Sequence, residues 1–303
     1  MRQDAWRRDA AAYPLRGEFM PRYTDVDVWQ HMNNSALIGL QGEAMQHALR
    51  HALGPRFWRD SDPVIACRAL ATDFLAETHY PEAIGWGARL LGVDRQGLRV
   101  ATALFQHGRC VGLHEALVAG WVNGLATDLG AGALAALQSA KVPGDDPGSE
   151  AAVAVDDEPP SRTLASLPWR TTIASRFADS DARRLASDTF LARCAEQVRV
   201  AFLGECFGGH PRRMGSMMVA HVTLRWHRRA APGRQWEAGC GITRVSERSL
   251  SASSAFYEDG VCVASSDSVM VAIDPDTRRS ATLSAQAREL VAPWQLADLA
   301  ATR

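Results

Sequence analysis

The sequence predicts an α+β protein built from two copies of one unit, each a long helix followed by antiparallel strands. Three observations carry that expectation. The segment Arg22-Tyr-Thr-Asp25-Val-Asp27 returns as Arg176-Phe-Ala-Asp179-Ser-Asp181, at an offset of 154 residues. Each copy is followed by a stretch whose apolar residues recur at helical spacing. Each of those stretches gives way to four runs of β-type residues separated by turn signals.

Taken along the chain, a strand over Gly17 to Tyr23 opens the first copy, and its counterpart over Arg170 to Phe177 opens the second. The first helix gathers Ala36, Leu37, Leu40, Ala44, Met45 and Ala48 on one face; the second gathers Phe190, Leu191, Cys194, Ala195, Val198 and Phe202. Side-chain oxygens able to cap the free N–H groups stand at both starts: Asn33, Asn34 or Ser35 in one copy, Ser187 or Asp188 in the other. Four strands are expected next over Val64 to Leu75, Glu82 to Val93, Leu98 to Gln106 and Arg109 to Val122. In the second copy they fall over Met217 to His227, Gln235 to Val245, Leu250 to Tyr257 and Val261 to Ile273. Gln96-Gly97, His107-Gly108 and Asp259-Gly260 mark tight hairpins. A shorter helix closes each copy, over Gly130 to Ala140 and Ser284 to Val291. Five strands with one apolar face, wrapped around the long helix, bury both partners. The stretch Pro143 to Ser161 is rich in Gly, Pro, Ser and acidic residues and reads as an exposed linker, giving domains 1–142 and 162–303 on either side of 143–161.

With 303 residues, 47% of them apolar, the chain can bury a core of about two domains. Its 33 basic and 34 acidic residues leave a formal charge of −1, so no whole-molecule field draws nucleic acid or an anionic membrane. No apolar run is long enough to span a bilayer, and Met1 to Arg16 holds four arginines without a signal-peptide core, so a soluble, cytoplasmic protein is expected. Six dispersed cysteines form no C-x-x-C pair and read as reduced core residues; neither they nor the nine histidines cluster as a metal site would require, so neither metal nor cofactor is expected. P-loop, dinucleotide and G-x-S-x-G signatures are absent from the sequence.

The chemistry-bearing residues gather at the start of the first helix. A carboxylate there can activate water or attack a carbonyl, and the free N–H groups of the helix N-terminus can polarise that carbonyl. Asp27 and the turn through Asn34 fit this layout, although Asp25 and Asp27 also suit turn residues that satisfy nearby backbone donors. Asn33 and Asn34 are helix caps first, and Glu43 reads equally as a solvated carboxylate. The run Arg22-Tyr-Thr-Asp-Val-Asp-Val-Trp-Gln-His-Met-Asn-Asn34, with Glu43 at helical spacing beyond it, resembles the 4-hydroxybenzoyl-CoA thioesterase-like family of hotdog proteins. That family typically reads R-Y-x-D-x-D-x-x-x-H-x-N-N with an acidic residue further along the helix. The resemblance implies a double hotdog, two long helices each wrapped by a five-stranded sheet, and it leaves room for a homodimer of such chains. It also implies that Asp27 is the catalytic carboxylate; beside it His31 reads as orienting Asp27, contacting substrate or serving as a hydrogen-bonded structural residue, and Asn33, Asn34 and Glu43 are candidates to shape the site. The second copy keeps Asp181 but has Leu185, Ser187 and Asp188 where the first has His31, Asn33 and Asn34, which points to a vestigial second site.

The expected activity is hydrolysis of an acyl-CoA or acyl-carrier thioester. A hydratase, dehydratase or acyl-transfer enzyme on the same fold, and a non-catalytic acyl-CoA binding protein, remain alternatives. His210-Pro-Arg212-Arg213 and Arg225-Trp-His-Arg228-Arg229 could meet CoA phosphates, but solvation accounts for them as well. Limited proteolysis is expected to cut first between Pro143 and Ser161 and to leave the two halves associated on a native sizing column. Fragments that separate, or first cleavage inside either long helix, would count against a shared core.

Overall fold

The structure, a computed structural model, describes residues 1–141, 162–209, 216–230, 233–274 and 276–296. The expected linker Pro143 to Ser161 and the basic stretch His210 to Arg213 lie outside the described residues. In chain order the elements are β1 (Leu15–Phe19), α1 (Asn34–Leu53), the single turn α2 (Phe57–Asp60), β2 (Val64–Phe74), β3 (Ile84–Val93), β4 (Leu98–Gln106), β5 (Arg109–Val122), β6 (Leu125–Thr127) and α3 (Ala131–Ala140). They continue with β7 (Trp169–Ala174), α4 (Asp188–Cys206), β8 (Ser216–Trp226), β9 (Gln235–Val245), β10 (Ser249–Glu258), β11 (Val261–Ile273) and α5 (Ala285–Val291).

Hairpins form where the turn residues allow them. His107-Gly108 and Asp259-Gly260 both take positive φ, at 52° and 70° and at 50° and 77°, the left-handed pair that matches strand twist in a two-residue turn. Asn123-Gly124 does the same at 53° and 77° and adds β6 to the edge of β5. All pairings between strands are antiparallel, and they run in the order β1-β3-β4-β5-β2-β8-β11-β10-β9-β7 as one continuous sheet. Its two halves mirror each other about the β2–β8 pair, where Ala69 to Asp73 meet Arg225 to His221.

Both opening strands stop short of their expected ends. Arg22 and Asp25 form a capping box around a 3-10 turn at Tyr23–Asp25, and Arg176 and Asp179 do the same around Phe177–Asp179. These turns lift the chain off the sheet and aim it into the long helices. Asn33 caps α1 by accepting from Ser35 N at 2.7 Å, and Ser187 caps α4 by accepting from Phe190 N at 3.1 Å. All six residues of the expected apolar face of α4 are buried; in α1 Leu37, Ala44, Met45 and Ala48 are buried, while Leu40 is only half-buried. The helices meet closely at Gly39, where a Cβ would lie 3.7 Å from Thr189 Oγ1.

Strands β4 and β5 are buried on both faces, which simple alternation does not anticipate. The N-terminal segment covers their outer face: Tyr13 packs with Leu91, Ala101, Ala103 and Leu113. Arg7 is buried there against Glu115, itself fully buried and also held by Arg99 at 2.8 Å. On the inner face, His114 bonds Thr72 Oγ1 through Nδ1 at 2.8 Å while its Nε2 has no partner.

Burial pushes His114 down to about 3. His227 falls to about 4, first through burial and then through the charges of Arg225 and Arg68. Both rings are neutral in the fold and bind protons more readily once unfolded, where imidazole titrates near about 6.5. The stability these neutral rings contribute is therefore complete above about pH 6.5 and is lost as pH falls towards about 4 for His227 and about 3 for His114. Urea midpoints measured across that window should drop with pH. His114→Gln, which keeps hydrogen-bonding capacity without titrating, should flatten the slope; an unchanged slope would contradict the burial of a neutral His114.

Candidate active site

Two aspartates in the Arg22–Asn34 segment have separate fates. Asp25 is buried and accepts from Arg22 N at 2.9 Å and from the Arg22 guanidinium at 2.8 and 3.1 Å, while its carbonyl takes Asn33 N at 2.8 Å. Burial alone would raise its carboxyl, but the bonds and charge of Arg22 outweigh it and the net shift is downward. Asp25 is thus a staple for the turn. Asp27 heads a second, tighter turn, in which its N–H donates to His31 O at 2.9 Å and its carbonyl accepts from Gln30 N at 3.0 Å, with Gln30 at φ 65°. Its Oδ1 accepts from Trp29 N at 2.8 Å, and its Oδ2 lies 3.3 Å from His31 Nδ1. Both side chains remain partly exposed, at 18% and 19%.

They open onto a cavity of about 530 Å³ between the start of α1, the end of β2, α4 and the start of β8. Asn34, Leu37, Phe74 and Glu77 contribute from the first repeat, and Glu196, Arg199, Val200, Leu203, Val219 and Met270 from the second. Asn33 ties the two helices together by donating through Nδ2 to Glu196 Oε1 at 2.6 Å. Arg199, only 4% exposed, donates to Asn34 Oδ1 at 3.5 Å. Arg278, on the loop after β11, pairs with Glu77 at the cavity wall. A carboxylate–imidazole pair, a helix N-terminus and an apolar wall therefore share one space, which suits attack on a carbonyl carried by an apolar group.

Of the residues expected at a site, Asp27, His31 and Asn34 line this cavity, and Asn33 stands behind it as cap and inter-helix bond. Glu43 is elsewhere. It is exposed in a separate groove with Arg22, Thr24, Leu40 and Arg193 on the other side of the turn. Asp181 occupies the matching position in the second repeat, where its Oδ1 accepts from Arg183 N and Leu185 N at 2.8 and 3.0 Å. The space that would mirror the cavity is filled. Thr78 and Ala230 accept the equivalent bonds from Met32 N and Ala186 N, so the preceding residues, Glu77 and Arg229, correspond. Arg229 is buried, donates to Asp188 Oδ1 at 2.8 Å and to Ala186 O at 3.1 Å, and lies over the rings of Trp226 and Trp121 at 4.7 and 5.4 Å. Trp226 Nε1 donates to the same Asp188 oxygen at 2.8 Å.

Glu77, Glu196, Arg199 and Arg278 were not anticipated from sequence. For Arg199 a signal was present: it follows Val198 and falls between Ala195 and Phe202 on the apolar stripe of α4, where a charge has no place without a polar cavity to face. Burial pushes Cys194, Cys206 and Cys240 up to about 12 and Cys110 and Cys262 up to about 11, so none supplies a thiolate at neutral pH. Among the described residues no group of three or more His, Cys, Asp or Glu is placed to hold a metal ion, and no helix is long and apolar enough to cross a membrane.

A family profile described as the acyl-ACP thioesterase C-terminal domain matches residues 9–55, a segment that contains the whole Arg22–Asn34 turn and all of α1. No curated protein sequence matches the chain. Among solved structures, a protein from Lactobacillus plantarum described as an oleoyl thioesterase superposes with TM-score 0.65 at 12% identity, over 86% of this chain and 96% of its own. The 12:0-ACP thioesterase from Umbellularia californica gives 0.63 at 13%, over 84% and 95%. An acyl-ACP thioesterase from Bacteroides thetaiotaomicron gives 0.59 at 16%, over 84% and 97%.

Where Arg229 serves only to hold the fold in a space without a working site, Arg229→Ala strips the buried partner from Asp188 and should destabilise the fold by about 3–5 kcal/mol. Turnover per folded molecule should stay unchanged. Chemical denaturation and active-site-normalised rates test this together, and a gain in the number of working sites per chain would contradict it. The protein thus has a hotdog-type α+β fold shared with thioesterases, and its acyl-ACP thioesterase-like segment carries the Asp27–His31 pair.

Proposed function

We propose that this chain is an acyl thioester hydrolase with a double-hotdog arrangement and one working site, centred on Asp27. The observation that carries the reading is the Asp27–His31 pair at an apolar cavity whose other wall comes from the second repeat. The acyl group lies against Leu37, Leu203, Val219 and Met270, with the thioester carbonyl at the start of α1. There the N–H groups of the first turn lack intrahelical partners and favour negative charge. Asp27 Oδ2 removes a proton from water as the water oxygen attacks the carbonyl carbon, or attacks that carbon itself to give a mixed anhydride that water then opens, releasing the acid and restoring the carboxylate. On either route the carbon–sulfur bond breaks and the thiol departs with a proton. Trp29 N–H fixes one carboxylate oxygen and leaves the other for chemistry, with His31 holding its orientation.

The finer resemblance to the 4-hydroxybenzoyl-CoA thioesterase-like group rests on the Arg22–Asn34 motif, whereas the matched profile is of acyl-ACP type. Either carrier leaves the reaction at Asp27 the same. The one-site reading is supported by Leu185, which stands beside Asp181 where His31 stands beside Asp27, and by Arg229, which occupies the mirrored space.

A panel of acyl-CoA and acyl-carrier thioesters followed by mass spectrometry should yield free acid. Hydrated, dehydrated or transferred products, or binding without turnover, would replace the reading. Asp27→Asn keeps shape and the bond from Trp29 N–H but cannot act as a base or nucleophile, and should lower kcat by about a hundredfold or more. Asp181→Asn should leave kcat near wild type. His31→Ala should fall between them at matched folding. Equal losses from the two aspartate variants would overturn the one-site assignment.

A further inference from the structure

Arg199 is the least expected charge in the molecule. It sits on α4 with 4% of its surface exposed, among residues that otherwise form the core, and it lines the cavity opposite the start of α1. Among the described residues its guanidinium makes one hydrogen bond, to Asn34 Oδ1 at 3.5 Å, and no ion pair within 4 Å. The nearby carboxylate, Glu196, is one turn earlier on the same helix and is engaged by Asn33 Nδ2 at 2.6 Å. Burial pulls the Arg199 guanidinium below its ordinary value and Glu196 opposes that shift, yet an arginine stays protonated at neutral pH. A buried cation with most of its donors unused is costly unless something else uses them.

Symmetry sharpens the case. Counting from the helix caps Asn33 and Ser187, the residue of α1 that corresponds to Arg199 is Met45, a buried core residue, and the one that corresponds to Glu196 is Gly42. The arginine is thus present only on the helix that faces the Asp27 cavity, and the helix facing the plugged space carries an apolar residue. A requirement of the hotdog-type core would appear in both repeats; a requirement of the open cavity appears in one.

Resting on the hydrolase reading above, we propose that Arg199 is a catalytic residue contributed by the second repeat, donating to the thioester carbonyl oxygen as it becomes an oxyanion. The first residue of α1 is where that oxygen is expected, and Asn34 is the residue Arg199 reaches. When attack on the carbonyl carbon moves the C=O electron pair onto oxygen, the guanidinium and the N–H groups of α1 face the new charge from opposite repeats. When the pair returns, the carbon–sulfur bond breaks, the charge passes to the leaving thiolate, and that sulfur takes up the proton given up by water. In a cavity walled by Leu37, Leu203 and Met270 this attraction is weakly screened, and it acts more on the intermediate than on the neutral substrate.

The test is steady-state kinetics of the full chain on its best acyl thioester, comparing Arg199→Met, Arg199→Lys and Asp27→Asn at matched melting temperature. Arg199→Met installs the residue found at the corresponding site of α1, and Arg199→Lys guards against a fold defect by retaining charge. Arg199→Met should lower kcat by about a hundredfold to a thousandfold with KM changed less than about threefold, the signature of an interaction made in the transition state. Arg199→Lys should recover part of the loss, and guanidinium ion added to Arg199→Met should restore some rate. Full activity in Arg199→Met, or a loss carried by KM alone, would overturn the assignment while an inactive Asp27→Asn left the hydrolase reading standing. A wild-type chain inert towards every thioester would remove both.

Discussion

The pairing of β2 with β8 is the constraint on which the rest depends. Those five residue pairs turn two half-sheets into one continuous sheet and fix the two long helices side by side on its inner face. With α1 and α4 so placed, Asn33 can reach Glu196, Arg199 can reach Asn34, and a cavity exists whose walls belong to both repeats. Neither repeat has that cavity alone. The Asp27 carboxylate comes from one copy and the opposing wall from the other, so the join between the halves is also the join of the cavity.

Most of the fold was legible because local and long-range preferences agree. The hairpin strands fall within a residue or two of their expected ends, since period, turn residues and caps all point the same way. Where only one signal was available, the reading slipped. Apolar character continues through Tyr23 and Phe177, but the Arg22–Asp25 and Arg176–Asp179 boxes end the strands earlier, and such a box is visible only once the backbone is known to turn. The short β6 follows from the Asn123-Gly124 turn, a signal as plain as those of the longer hairpins. The β2–β8 pairing left no local trace, because nothing in an alternating strand says which of two edges it will join. Burial of both faces of β4 and β5 depends likewise on an N-terminal segment with no strong pattern of its own.

The site was legible in part for the same reason. Asp27, His31 and Asn34 lie within one short run of sequence and were brought together by one turn. Glu43 obeyed helical spacing from that run, yet the helix carries it to a different groove, since spacing along α1 fixes an angle around the axis without saying which side the cavity takes. Glu77, Glu196, Arg199 and Arg278 are supplied from distant segments across the β2–β8 join. Of these, only Arg199 announces itself, as a charge on an apolar stripe.

Carrying both repeats on one chain lets the two mirrored spaces differ. In a symmetric pair of identical chains, any residue that improved one site would be repeated in the other. A single chain removes that tie. At the position of Glu77 the second repeat has Arg229, at that of Asn34 it has Asp188, and these two form an ion pair capped by Trp226 and Trp121. In the opposite direction, Met45 and Gly42 of α1 give way to Arg199 and Glu196 of α4. Charges that would repel or stand unpaired in a symmetric arrangement are thereby sorted: a closed, self-satisfied cluster stabilises one side, and donors without protein partners are left on the other.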